Sequence, residues 1–345
     1  MATKIAINGF GRIGRCIVRA LYERNVTDLE IVAINDLTDA GTLAHLLKHD
    51  SIHREFKAAK VTHGEGYIGV GDHKIKVLAQ KDPAALPWKD LGVDIVFECT
   101  GLFTDKAKAE AHIKGGAKKV LISAPAKNHD LTVVMGVNDD KYDAAKHHVL
   151  SNGSCTTNCL APIAKVMLDN FGVVHGLMTT VHAYTNDQHI LDLPHRKGDL
   201  RRARAAAVNM IPSSTGAAKA LSEVVPELKG KFDGQAIRVP TVDVSLVDLT
   251  IQTERPVTKA AIHEAMKKAA TEGPMKDVLD YTETELVSGD YIGNPASSTF
   301  DATLTQVIGD NFAKIFAWYD NEWGFSHRMV DLALLVVKKG LSSAA

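Results

Sequence analysis

Lys4-Ile5-Ala6-Ile7-Asn8-Gly9-Phe10-Gly11-Arg12-Ile13-Gly14-Arg15 is the stretch whose reading decides the fold. Lys4 to Asn8 is an apolar run that stops at Gly9, and Ile13 to Leu21 carries apolar residues at helical spacing with Arg12, Arg15, Arg19 and Arg24 as its polar complement. The order is strand, glycine turn, helix. In Gly9-x-Gly11-x-x-Gly14 the glycines let backbone approach a pyrophosphate whose charge faces the helix N-terminus, although the motif alone also occurs as a tight turn. A second strand, Leu29 to Asn35, ends at Asp36, 22 residues beyond Gly14. A carboxylate there accepts from the adenosine ribose hydroxyls and repels a 2'-phosphate, which predicts NAD rather than NADP.

Working outward, Val93 to Cys99 reads as a buried strand ending at Thr100-Gly101, on the same carboxyl-end rim where such sheets bind ligands. A helix near Lys106 to Ile113 and a strand Val120 to Ser123 continue the alternation, which predicts a parallel sheet with helices on both faces. Lys60 to Leu78 alternates around Gly64, Gly66, Gly69 and Gly71 and reads as inserted antiparallel hairpins. Beyond about Leu150 the texture changes. Val173 to Val181, Gln235 to Val239, Val242 to Thr253 and Thr303 to Tyr319 read as longer strands, with helices at Gly216 to Val225 and Thr258 to Ala270. The second half is therefore expected to be α+β on a largely antiparallel sheet, and the chain closes with a helix-like run, Phe325 to Lys338. Ala183 to Ala207 is a long, polar, basic segment without periodicity, which predicts a functional or a disordered loop.

The 345 residues exceed what one core usually supports, so two domains are expected. A net charge of -1 excludes a global attraction to nucleic acid or anionic membrane and favours small-molecule partners. Four cysteines (Cys16, Cys99, Cys155, Cys159) form no disulfide framework and suggest a reducing compartment, and their spacing matches no metal site. The N-terminus lacks the features of a secretory signal and no apolar run reaches membrane-span length, so a cytoplasmic chain is expected.

Ser154-Cys155-Thr156-Thr157-Asn158-Cys159 precedes an apolar run and places Cys155 at a helix start, where orphan N–H groups and the dipole push a thiol toward thiolate. A buried inert cysteine is the alternative. A nicotinamide cofactor beside a thiolate suits aldehyde oxidation: the thiol adds, hydride leaves, and a thioester remains for a second nucleophile. His182, at a strand end before a polar loop, is the best placed base, with a structural histidine as the competing reading. Arg201 and Arg202 read as a solvated basic face, whereas Arg204 and Arg238 suit bidentate phosphate capture. Thr215-Gly216 before a helix offers N–H groups and a hydroxyl to a second anion.

The set Ile7 to Arg15, Ser154 to Pro162, His182-Ala183-Tyr184-Thr185-Asn186-Asp187-Gln188, Thr215 to Lys219, Arg238-Val239-Pro240-Thr241 and Trp318 to Glu322 resembles phosphorylating glyceraldehyde-3-phosphate dehydrogenases from Lys4 to about Leu341. The resemblance implies a Rossmann-like NAD domain over 1–150, onto which a C-terminal helix at 324–341 packs, and a catalytic domain over 151–323. It implies Cys155 as nucleophile and His182 as base, Thr185 and Arg238 on the substrate phosphate, and Ser154, Thr156, Thr215, Gly216 and Arg204 on inorganic phosphate. Gly9, Gly11, Arg12, Ile13, Gly14, Asp36, Lys81, Thr100, Ser123 and Asn321 would contact NAD, the last through the nicotinamide carboxamide. A homotetramer is implied, with Ala183 to Ala207 reaching a neighbouring subunit. Gly153 stands where alanine is usual and is expected to loosen the backbone, Lys81 replaces a commoner arginine, and the loop at His195 to Asp199 looks longer than usual. Two rivals are the same scaffold acting on erythrose 4-phosphate, and a dinucleotide-binding regulator without turnover.

Overall fold

The computed structural model describes residues 2–342. The chain divides into two compact units: one holds the residues up to Val133, Asp139–Gly153 and those from Ser326 on, and the other Val134–Asn138 and Ser154–Phe325.

The first unit contains β1 (Thr3–Asn8), α1 (Arg12–Glu23), β2 (Leu29–Asn35), α2 (Ala40–Lys48), β3 (Val61–Gly64), β4 (Tyr67–Val70), β5 (His73–Leu78), α3 (Trp88–Leu91), β6 (Ile95–Glu98), α4 (Lys106–Lys114), β7 (Lys119–Ile122), β8 (Leu131–Thr132) and β9 (Val149–Ser151). Its sheet has the order β3-β4-β5-β2-β1-β6-β7-β9-β8. From β5 to β8 every pairing is parallel, and β6 and β7 are buried throughout, which explains runs of apolar residues without alternation. The segment Lys60 to Leu78 supplies β3, β4 and β5, which pair antiparallel with one another and extend the sheet at its β2 edge. Helix α2 buries Leu43, Ala44 and Leu47 at helical spacing. Asp39 starts it by accepting from Thr42 N at 2.9 Å.

The glycine turn after β1 is dictated by contact. A Cβ on Gly14 would stand 2.4 Å from the Gly9 carbonyl oxygen, so α1 crosses β1 only with glycine at that point. Within this unit the last helical residues are tied down by Arg24, which donates to Asp331 at 2.6 Å, and by Lys339, which donates to the Asp139 carbonyl at 2.9 Å.

The second unit contains α5 (Cys155–Phe171), β10 (His175–Ala183), β11 (Ile211–Ser214), α6 (Ala217–Val224), β12 (Phe232–Val239), β13 (Ser245–Gln252), α7 (Lys259–Thr271), β14 (Leu279–Thr282), β15 (Ser298–Asp301), β16 (Gln306–Ile308) and β17 (Phe312–Tyr319); α8 (Trp323–Lys339) follows. The sheet order is β11-β12-β10-β13-β17-β15-β14, with β16 on β17. It is largely antiparallel, with β10/β12 and β14/β15 as parallel exceptions. The helices α5, α6 and α7 share one apolar core with Met178, Leu249 and Ile315 from the sheet, and Val134 joins the same core. On β10 the buried Met178, Thr180 and His182 alternate with the more exposed Leu177, Thr179 and Val181, so His182 lies on the helix-covered face.

Candidate active site

Ser154 caps α5: its hydroxyl accepts from Thr157 N at 3.0 Å, which leaves Cys155 as the first residue of the helix. The residue before the cap, Gly153, holds φ +66°, so glycine there makes a left-handed turn into the helix and the expected loosening is not its role. His182, one residue from the end of β10, brings its Nε2 to 3.5 Å from Cys155 Sγ. Its Nδ1 lies 2.6 Å from the Ala183 carbonyl and 3.4 Å from Arg238 Nη1. Both contacts cannot be hydrogen bonds to one tautomer. The shorter one, to an oxygen that only accepts, puts the proton on Nδ1 and leaves Nε2 unprotonated toward sulfur.

The electrostatics correct one expectation. Burial, the largest influence, pushes the Cys155 thiol above its ordinary value, against the pull of the Arg238 charge and of hydrogen bonds from Thr156. Burial and then Arg238 push His182 down to about 3, so its imidazole is neutral at physiological pH, with Nε2 facing the thiol. Tyr319, edge-on to His182 with centroids 5.9 Å apart, places its hydroxyl 2.9 Å from Thr156 Oγ1 and 2.8 Å from Thr180 Oγ1. This fixes the first turn of α5 against β10. The Thr156 hydroxyl is thereby engaged with Tyr319 in the interior.

Parallel pairing of β10 with β12 sets Arg238 opposite His182. Arg238 Nη1 donates to Thr185 Oγ1 at 2.9 Å, Thr185 donates to Asp187, and Asp187 pairs with Arg202. Arg202 also donates to the Ser214 carbonyl at 3.2 Å, beside Thr215. The chain of contacts runs Cys155, His182, Arg238, Thr185, Asp187, Arg202 and then the start of α6, where the Thr215 hydroxyl accepts from Ala217 N at 3.2 Å. Arg204 is not in it. Its side chain is 63% exposed and paired with Asp192. Arg202, read from sequence as a solvated face, is thus the arginine in this chain of contacts, and nothing local marks it, because its partner Asp187 is brought to it by the fold of the loop. Asn321 lies apart from this chain of contacts, its Oδ1 accepting from Ser245 at 2.7 Å.

In the first unit a pocket of about 550 Å³ is lined by Gly9, Gly11, Asp36, Lys81, Thr100 and neighbours including Leu37, Leu102 and Phe103. Gly11 is the N-cap of α1 and has no side chain to satisfy the first N–H groups, and the space above its Cα is open. Asp36 accepts from Phe10 N at 2.8 Å and Thr38 N at 3.0 Å, which holds the carboxylate on the rim with lone pairs to spare. An open helix N-terminus, an apolar slot and a fixed carboxylate fit a dinucleotide. Arg12, next to this turn, pairs with Asp50, and Ser123 donates to the Glu98 carbonyl at 3.2 Å at the end of the neighbouring strand. Ile13 and Gly14 lie in the first turn of α1.

Residues 3–106 match the family model described as glyceraldehyde 3-phosphate dehydrogenase, NAD binding domain, and residues 154–321 match that of the C-terminal domain. The chain belongs to the glyceraldehyde 3-phosphate dehydrogenase family. Among its relatives in that family, the glyceraldehyde-3-phosphate dehydrogenase of Streptomyces coelicolor is 60% identical over 97% of this chain and 99% of its own length. Glyceraldehyde-3-phosphate dehydrogenase 1 of Bacillus cereus is 59% identical over 98% of this chain and 100% of its own. The enzyme of Geobacillus stearothermophilus is 57% identical over 99% and 100%. NAD is the cofactor of the family's N-terminal domain, and the slot beneath Gly11 and Asp36 lies in the matched segment.

Proposed function

We propose that this chain carries out the NAD-dependent, phosphorylating oxidation of glyceraldehyde 3-phosphate to 1,3-bisphosphoglycerate, a step of glycolysis and gluconeogenesis, with Cys155 as nucleophile and His182 as base. The observation that carries the reading is the 3.5 Å approach of His182 Nε2 to Cys155 Sγ beside the Arg238–Thr185 pair. Arg238 and Thr185 hold the phosphate already on the substrate, which sets the aldehyde carbon at sulfur. His182 takes the thiol proton as the S–C bond forms and returns it to the carbonyl oxygen, giving a thiohemiacetal. It then takes the hydroxyl proton as hydride leaves the same carbon, and a thioester remains on Cys155. NAD, when bound, supplies the hydride acceptor. Inorganic phosphate attacks the thioester, the S–C bond breaks, and His182 gives its proton to the departing sulfur.

The second anion is held by the Thr215-Gly216 start of α6 with Ser154, Thr156 through its backbone N–H in the first turn of α5 and, in place of Arg204, Arg202. Steady NADH formation is expected to require phosphate and to be far faster with glyceraldehyde 3-phosphate than with erythrose 4-phosphate. Arg202→Gln should raise the KM for phosphate by roughly 10- to 100-fold, the worth of a charge-assisted pair, while Arg204→Gln changes it less than about twofold. Preference for the four-carbon sugar would reassign the substrate. No NADH with either would leave a non-catalytic dinucleotide-binding protein.

Asp36, Gly9, Gly11, Gly14, Arg12, Ile13, Lys81, Thr100 and Ser123 contact the cofactor in this reading. Wild-type protein should barely use NADP. Asp36→Ala should weaken NAD by about 1–3 kcal/mol, the cost of charge-assisted hydrogen bonds, and narrow the gap between the two cofactors in titrations. Equal affinity of the unmodified protein for both would remove Asp36 from that role.

A homotetramer is proposed from the apolar surface that the second unit leaves open. Leu177 (67%), Ile308 (69%) and Phe312 (42%) on the sheet and Ile190 (86%), Leu191 (75%) and Leu200 (84%) on the 183–207 loop are more exposed than a free surface favours. A cytoplasmic location is proposed from four free thiols, two of them buried. No helix among the described residues is long and apolar enough to cross a membrane.

A further inference from the structure

Among the described residues five non-glycine residues hold positive φ, and Val244, at φ +67°, is the one with a β-branched side chain. Such a residue takes the left-handed region only where its surroundings over-determine it, and such places cluster at functional sites. Val244 is buried, and the turn it makes delivers the next residue, Ser245, to the start of β13 with 1% of its surface exposed. Ser245 Oγ accepts from Ala183 N at 3.1 Å and donates to Asn321 Oδ1 at 2.7 Å. The direction of both bonds follows from chemistry. A backbone N–H only donates, so the serine oxygen accepts there and its single proton goes to Asn321, whose facing atom is the carbonyl oxygen. The amide is thereby oriented, and its Nδ2 end is the one left to a ligand.

We propose that Ser245, set in place by the strained turn at Val244, is a positioning residue that fixes which end of the Asn321 carboxamide meets the cofactor and so which face of the nicotinamide receives hydride. The proposal rests on the reading that Asn321 holds the nicotinamide carboxamide. A donor at Nδ2 selects the carbonyl oxygen of that group. Without the serine hydroxyl the Asn321 amide rotates between two orientations, and both ring orientations are admitted. Ser245 also braces Ala183, whose carbonyl accepts from His182, so a role through the base must be separated from a role through the amide.

The full chain with Ser245→Ala is compared with wild type in three measurements: NAD affinity by titration, the C4 configuration of cofactor reduced by 1-deuterated glyceraldehyde 3-phosphate, and the rate of Cys155 alkylation by iodoacetamide. NAD affinity should fall about 5- to 30-fold, the loss expected for one buried hydrogen bond and its orienting effect. Deuterium should appear on both faces where wild type labels one, and alkylation should stay within about twofold. Labelling of a single face with affinity within twofold overturns the proposal. So does slowed alkylation like that of a His182 variant, because the serine would then serve the base. Asn321→Ala separates the two readings. If it changes affinity and labelling while Ser245→Ala does not, the proposal alone fails; if it changes neither, the assignment of Asn321 fails and the proposal with it.

Discussion

Cys155→Ser is expected to lower NADH formation by more than about 10,000-fold, the scale on which removal of a covalent nucleophile acts, while NAD titrates as in wild type. Ser154 still caps α5, but His182 cannot make a comparable nucleophile of the new hydroxyl, and no thioester forms. The companion variant makes the result specific. Cys159 lies one turn on with no exposed surface, its Sγ 3.4 Å from Ser298 Oγ and 3.7 Å from the Ala317 carbonyl. Burial raises its thiol far above the ordinary value, so it is inert. Cys159→Ser should cost about 1 kcal/mol of stability and leave turnover within about fivefold. Equal damage from both substitutions would contradict the assignment of the nucleophile.

His182→Asn should reduce turnover by about 100- to 10,000-fold, the usual worth of a positioned base. The pH dependence carries its own sign. A thiol whose value burial has raised ionises alone only as pH climbs, whereas His182, held down to about 3, is neutral across the neutral range with its Nε2 3.5 Å from the sulfur. Alkylation of Cys155 in His182→Asn should therefore be slow at neutral pH and recover as pH rises, with wild type much faster at pH 7. Identical alkylation profiles and unchanged turnover would take His182 out of the mechanism.

The parts that sequence made legible are those where chemistry and spacing are local. Leu29–Asn35 appears as a strand with those same ends, an apolar run between polar breakers, and Cys155 falls at the helix start, where Ser154 caps it ahead of the apolar run. What stayed illegible depends on contacts between distant segments. Helix α2 buries only Leu43, Ala44 and Leu47 in a run of nine residues, and β14 and β15 are only four residues each. The parallel pairing of β10 with β12, which sets Arg238 against His182, follows from the topology and from no single stretch. Arg202 and Asp187 meet only because the loop between them folds back, and the run Arg201 to Arg204 carries no mark to rank one arginine over another. The Cys155 thiol is the same kind of case: a helix start predicts a lowered value, and the burial that outweighs it is visible only in three dimensions.

The central claim is that a thioester forms on Cys155 and waits for phosphate. Rapid mixing of enzyme, NAD and glyceraldehyde 3-phosphate in phosphate-free buffer, with mass analysis of the Cys155 peptide, tests it most directly. The account predicts a burst of about one NADH per active site, an acyl group on Cys155, and steady turnover only when phosphate or arsenate is added. Sustained NADH formation without either oxyanion, or a burst with no acyl group on Cys155, would contradict it.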